Sequence, residues 1–212
     1  VKSATFNKDC NFISVVVSTA LQDWGYKLPN NPCSFFKREQ EAKPRDRILE
    51  DWEERKLLHG CSLIPNTYLT KCVEFSLETA IRQGEMLNIH YDDIDFENSL
   101  LHIPISKNGY PRKIPLSPKA VRILRELPRR LDRKVFPITR DALKNLFQRA
   151  LKKSNIQEFR YHDLRHTAIT SMLQDRGLTI PEVQLMSGIR NPKILLNVYN
   201  KTDPRKVVAR LS

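Results

Sequence analysis

No run of apolar residues in this chain approaches the roughly 18 that a membrane span requires, so a transmembrane reading has no support. No secretory leader is recognisable in these residues, and because the sequence opens on Val1 rather than Met we expect a fragment or a processed chain. Its four cysteines, Cys10, Cys33, Cys61 and Cys72, form no C-x-x-C pair, which argues against a zinc site and a disulfide framework and fits a reducing cytoplasm. A G-x-x-x-x-G-K-[ST] phosphate loop is lacking, as are internal repeats and low-complexity tracts. Acidic residues are in deficit, 24 against 36 Lys and Arg, and the net charge of +12 points to a polyanionic partner.

What is present reads as mostly helix. Phe6, Cys10, Ile13, Val17, Ala20, Leu21 and Trp24 recur at spacings of three and four, which predicts an amphipathic helix from Phe6 to Trp24. Gly25 to Pro32, with two prolines, predicts a turn, and the charged stretch after it has few aliphatics. We place a first unit at 1–37, a linker at 38–47 and a second unit at 48–212.

The second unit opens with a charged helix, Glu50 to Leu58, and a longer one capped by Asn66, with Leu69, Val73, Leu77 and Ala80 on one face. Arg82 comes where that helix ends, and Gly84 predicts a turn. Short strands follow at Ile94–Phe96, Leu101–Ile105 and Arg112–Leu116. Asn108-Gly109 between the last two is a strong hairpin signal, because both residues tolerate positive φ. Pro104 and Pro115 cannot donate to a ladder, which makes this a small edge sheet. Helices are expected at Pro118–Leu127, Asp141–Lys152, Leu164–Gln174, Pro181–Met186, Pro192–Val198 and Arg205–Leu211. The fold class is thus mainly α with a small antiparallel β-sheet.

Tyr161-His162-Asp163-Leu164-Arg165-His166-Thr167 carries a His and an Arg three residues apart, on one face if helical. A proton carrier beside a forked cation suits a phosphate. Core packing by His162 or His166 and a salt bridge from Arg165 would explain the same residues. Asp92, Asp93, Asp95 and Glu97 form an acidic cluster that could hold magnesium in a metal-dependent nuclease, although strand alternation sends only Asp93, Asp95 and Glu97 to one side.

Taken in order, Arg82 in Thr79-Ala80-Ile81-Arg82-Gln83-Gly84-Glu85, Lys107 in the hairpin, His162-x-x-Arg165, and Tyr199 in Leu196-Asn197-Val198-Tyr199 resemble the tyrosine recombinase (phage integrase) family. The resemblance covers about Arg45 to the C-terminus. It implies a catalytic domain preceded by the last helix of a helical core-binding domain, the two clamping double-stranded DNA, and it allows a further DNA-binding module ahead of Val1. It also implies strand cutting through a 3'-phosphotyrosine intermediate, with neither metal nor nucleotide cofactor.

On that resemblance Arg82 and Arg165 hold the non-bridging phosphate oxygens, and Lys107, with Lys113 as local competitor, protonates the leaving 5' oxygen. His162 accepts the proton of the Tyr199 nucleophile, while Glu85 orients its neighbours and His166 supports. Ile189 stands where the family usually has His or Trp. Either Arg190 substitutes for that donor, or activity is reduced, or the chain is a catalytically impaired DNA-binding protein. Topoisomerase-like chemistry without ordered exchange is a further alternative. The implied assembly is a homotetramer on two DNA sites in the bacterial or phage-infected cytoplasm, without membrane contact and with room for accessory DNA-bending proteins. Val207, Val208 and Leu211 would pack on a neighbour or on the chain's own core.

Overall fold

Asparagines, as much as the apolar stripe, decide how the first forty residues fold back on themselves. In a computed structural model of the chain, which describes residues 3–40, 45–104 and 111–198, helix α1 spans Ser3–Gln22. The chain reverses after it through Gly25 at φ 73°, and one 3-10 turn covers Pro32–Phe35. Asn31 Nδ2 donates to Ser14 O at 2.9 Å and Ser18 Oγ at 3.0 Å, while its Oδ1 accepts from Cys33 N at 2.9 Å. Asn7 exchanges a pair of hydrogen bonds with the backbone of Glu39, at 2.9 and 3.0 Å. The charged stretch beyond Phe36 therefore begins by running back along α1. Val1–Arg45 forms one compact unit and Asp46–Ser212 the other.

In the second unit Glu50 N donates to Glu53 Oε2 at 3.1 Å, and helix α2 runs over Asp51–Ser62, past Leu58. Asn66 then accepts from Tyr68 N and Leu69 N, both at 3.0 Å, to start α3, Thr67–Thr79. It stops because Ala80 adopts the left-handed conformation, φ 52°. Arg82 is not the end of α3 but the N-cap of a separate short helix, α4, Gln83–Met86, which contains Gly84. The turn expected at Gly84 is made instead at Ala80 and Ile81.

A 3-10 turn at Tyr91–Asp93 leads into β1, Ile94–Asp95, followed by β2, Leu100–Ile103, and β3, Arg112–Pro115. These pair antiparallel in the order β1-β2-β3, with Leu101 opposite Ile114, both buried. Pro115 lies on an edge strand, where a missing donor costs little. The hairpin tip with Lys107 lies outside the described residues. Ser117 and Thr139 cap the next two helices, α5, Pro118–Glu126, and α6, Arg140–Ser154. Then come α7, Asp163–Gln174, α8, Ile180–Ser187, and α9, Pro192–Val198. The helix expected at Arg205–Leu211, with Val207 and Val208, lies outside the described residues.

Mainly helical with one small antiparallel sheet, this is the fold class that the periodicity predicts. Helix α3 lies at the centre, packing against α2, α5, α6 and α7. Its buried residues include Leu69, Cys72, Val73, Phe75 and Leu77, and the Phe75 ring lies 5.5 Å from that of Phe136. Strand β3 packs against α8, which brings the sheet to the C-terminal helices. Among the described residues no helix is long and apolar enough to cross a membrane.

Helices α2 and α6 cross at Gly60. A Cβ there would lie 2.0 Å from Ser154 Oγ and 2.9 Å from Ala150 O. Ser154 Oγ is itself tied to Lys56 O and Ala150 O, both at 2.9 Å. Gly60→Ala gains about 1 kcal/mol in helix propensity, but overpacking a crossing of this kind costs about 1–3 kcal/mol. With backbone on one side of the clash and a tethered side chain on the other, we expect net destabilisation in urea unfolding. An unchanged midpoint would show that the two helices separate freely.

Candidate active site

The left-handed turn at Ala80 aims two arginines at one place. Its carbonyl accepts a hydrogen bond of 2.5 Å from Nη1 of Arg165, a buried residue in the first turn of α7. Two residues on, Arg82 leaves the turn with extended backbone. Arg82 Nη1 donates to Glu85 Oε1 at 3.1 Å and Nη2 to the Gly188 carbonyl at 3.3 Å. Helices α3, α4, α7 and α8 thus meet through two guanidiniums and two backbone carbonyls. About a third of the Arg82 side chain remains exposed, 34%.

His162 is the N-cap of α7. Its side chain is exposed to solvent on one side and flanked by the charged groups of the site on the other. That partial desolvation, then the charges of Arg165 and Arg82, hold its pKa below the usual histidine value, with Asp163 pulling the other way. His162 is therefore a neutral imidazole at pH 7, able to accept a proton beside two cations. His166 packs edge-on against it at 5.7 Å and is lowered too, by desolvation first and then by His162.

Tyr161 opens the same motif but is not a nucleophile. Its hydroxyl donates to Cys72 O at 3.0 Å and lies 2.9 Å from Ser76 Oγ, and burial pushes the phenol well above its usual range. It fixes the start of α7 onto α3.

Glu85 has a second partner that sequence reasoning missed. Arg112, the first residue of β3, grips it at both oxygens, Nη1 to Oε1 at 3.0 Å and Nη2 to Oε2 at 2.7 Å. Burial opposes ionisation of Glu85, but the hydrogen bonds and charge of Arg112 and the charge of Arg82 outweigh it and hold the pKa below the usual carboxylate range. Nothing in the linear pattern separates Arg112 from its basic neighbours; only the fold brings it to Glu85.

Arg82, Arg112, Gly188, Ile189 and Arg190 line an open groove of about 640 Å³, with Leu185 and Ile194 on its apolar side. Ile189 is partly buried and packs against the core, while Arg190 is exposed. The structure thus brings together Arg82, Glu85, His162 and Arg165, with His166 behind them and Ile189 and Arg190 along the groove. Lys107 and Tyr199 lie outside the described residues. Lys113 is exposed on β3, opposite His102.

The acidic cluster near β1 is divided among local partners. Asp92 pairs with Arg133 at 2.7 Å, Asp93 accepts from His90 N at 2.8 Å, and Asp95 binds Asn98 Nδ2 at 2.8 Å. Among the described residues no group of three or more His, Cys, Asp or Glu could hold a metal ion.

The lowered histidines have a sign that can be checked. The unfolded chain protonates these rings near 6.5, whereas the folded protein resists until lower pH. Their contribution to stability is therefore complete above about 6.5 and is lost as pH falls below it. In an NMR titration His162 should show a midpoint below 6.5 that rises in Arg82→Gln, since a nearby cation has gone. A midpoint unmoved by that substitution would separate Arg82 from His162 electrostatically.

Comparison with known proteins agrees with this geometry. Residues 47–206 match the phage integrase family. The chain is 32% identical over 191 residues to the shufflon-specific DNA recombinase of Escherichia coli, covering 90% of this chain and 49% of that protein. It is 27% identical over 204 residues to the integrase of Salmonella phage P22, covering 87% and 51%. The chain thus spans about half the length of each of these relatives. Its fold superimposes on the Tn1549 transposon integrase, solved in complex with circular intermediate DNA, with a TM-score of 0.77 at 20% identity, covering 100% of this chain and 80% of that one. Mainly α architecture, the meeting of Arg82, His162 and Arg165, and these likenesses together place the chain in the phage integrase family.

Proposed function

We propose that this chain is the DNA-cutting part of a site-specific recombinase, working on double-stranded DNA through Tyr199. The observation that carries the reading is the meeting of Arg82, Arg165 and His162 around the Ala80 turn, with Arg82 reaching on into the groove beside Gly188. In this mechanism both guanidiniums bind the non-bridging oxygens of the scissile phosphate and neutralise charge developing on phosphorus. The Tyr199 hydroxyl loses its proton to His162 and attacks phosphorus. A phosphotyrosine bond forms, the bond to the 5' oxygen breaks, and Lys107 gives that oxygen a proton. The covalent link conserves the phosphodiester energy, so rejoining requires neither metal nor ATP.

On the same reading residues 1–37 are the end of a helical DNA-clamp domain, 38–47 the linker and 48–212 the catalytic domain. Four copies on two DNA sites, with accessory DNA-bending proteins where the site requires them, would complete strand exchange in the cytoplasm. Ile189 supports a second reading, a DNA-binding protein with reduced or lost catalysis, because an alkyl side chain cannot donate to the phosphate. Absence of one such donor costs about 2.7–4 kcal/mol, or roughly a hundred- to a thousandfold in rate.

The test is detection of a protein–DNA adduct on denaturing gels in EDTA, using supercoiled plasmid carrying candidate attachment sites. We expect an adduct with the parent chain and none with Tyr199→Phe. Arg82→Ala or Arg165→Ala should slow its formation by about a hundred- to a thousandfold. An adduct seen only after Ile189→His would favour the impaired reading, and an adduct abolished by EDTA would overturn the metal-free chemistry. DNA affinity should fall roughly 10³- to 10⁵-fold between about 50 and 200 mM salt if some 6 to 10 phosphates are contacted. A flat salt response would contradict the DNA clamp.

A further inference from the structure

Two arginines share the carboxylate of Glu85, and their environments differ. Arg82 is partly exposed at the groove, whereas the Arg112 side chain is 10% exposed. The buried Nε of Arg112 has no hydrogen-bond partner among the described residues. A guanidinium is weakly hydrated for a cation, but it is still kept at such a position only by a strong counter-charge. Here that is the two-point grip on Glu85, at 3.0 and 2.7 Å.

Charge arithmetic gives this grip a consequence. With Arg82 alone, Glu85 would form a neutral pair, and the cation offered to a phosphate would be cancelled by the group that orients it. With Arg112 present, two positive charges face one negative charge. Glu85 then fixes the plane of Arg82 through Nη1 while the cluster keeps a net positive charge.

Arg112 also touches the other side of the site. A Cβ on Gly188 would lie 2.9 Å from Arg112 Cζ and 3.0 Å from Nε. The guanidinium therefore lies close against the Gly188 backbone, whose φ is 68° and whose carbonyl accepts from Arg82. Arg82, Glu85, Arg112 and Gly188 form a closed ring that ties β3, α4 and the end of α8. Ile189 and Arg190 follow directly from that ring, and β3 follows directly from the hairpin that carries Lys107.

We propose that Arg112 is a positioning residue of the DNA-cutting site, holding Glu85 in a two-point ion pair so that Glu85 orients Arg82 without cancelling its charge. This rests on the recombinase reading above. It acts through Arg82 and the Gly188 turn rather than on the phosphate itself.

The experiment compares the parent with Arg112→Gln, Arg112→Lys and the double variant Arg112→Gln/Glu85→Gln. Adduct formation is measured in single turnover at saturating protein, together with DNA affinity, thermal unfolding and the NMR titration of His162. We expect Arg112→Gln to form the adduct about a hundredfold more slowly, as a misplacement of about 1 Å does, with affinity within about twofold of the parent. Arg112→Lys keeps the charge but cannot grip both oxygens, so it should be slowed as well. The double variant should recover part of the rate lost by Arg112→Gln, because the uncompensated carboxylate has gone.

In Arg112→Gln the His162 midpoint should rise, since Glu85 is no longer neutralised; a role confined to fold stability would leave it in place. If Arg112→Gln does not fold at the assay temperature, Arg112→Lys carries the test, and parental adduct formation by a folded Arg112→Lys overturns the proposal. A folded Arg112→Gln that cuts at the parental rate overturns it alone. A parent chain that forms no adduct overturns it together with the recombinase reading.

Discussion

Helix α3 ends at Ala80 in the left-handed region, and the carbonyl presented by that ending accepts the guanidinium of Arg165. An L-residue in that region costs roughly 1–2 kcal/mol, so the conformation persists because the surroundings impose it. Thr79 Oγ1 is hydrogen-bonded back to Phe75 O at 2.7 Å, and Ile81 is buried beyond the turn. A continued helix would carry Arg82 away from α8 and deprive Arg165 of its acceptor. Both phosphate-binding candidates therefore depend on a backbone bend that neither residue makes itself.

Counter-charge is the second theme. The chain is rich in bases, yet its buried carboxylates do much of the joining. Glu78 of α3 accepts from Arg176 at 3.0 Å and from Ser117 at 2.9 Å, and pairs with Lys119 at 3.1 Å. Burial works against its ionisation, but these partners together hold its pKa below the usual range. Glu53 is gripped by Arg47 at the entry to α2, where Leu49 N donates to Thr167 of α7 at 3.0 Å. Truncating one partner of such a pair leaves an uncompensated buried charge, which costs far more than the pair contributes. The same rule gives Arg112 its importance at Glu85.

The groove has two chemistries along its length. Cationic residues line one part, Arg82, Arg112 and Arg190, while Ile189, Leu185 and Ile194 make the other apolar. Ile189 is held by the core and by Ser187, whose Oγ accepts from Ile189 N at 3.2 Å. Ile189 also lines the groove, so a side chain at this position meets both the core and the groove. Ile189→His is accordingly a change of packing as well as of chemistry.

Helix periodicity, the Asn66 and Ser117 caps and the alternation of the short strands were legible in the residues because they are local: each depends on neighbours within a few positions. The His162-x-x-Arg165 pair, Arg82 and Glu85 were legible as a resemblance, through their order along the chain. The break at Ala80 was not, since alanine favours helix and only tertiary contacts hold it left-handed. Arg112 was hidden among 36 basic residues for the same reason. The sequence by itself determined the helical class, the small sheet and the cast of charged groups. Only the tertiary structure decided which arginines share Glu85, because ion pairing depends on distance through space and on burial, and neither is written in spacing along the chain.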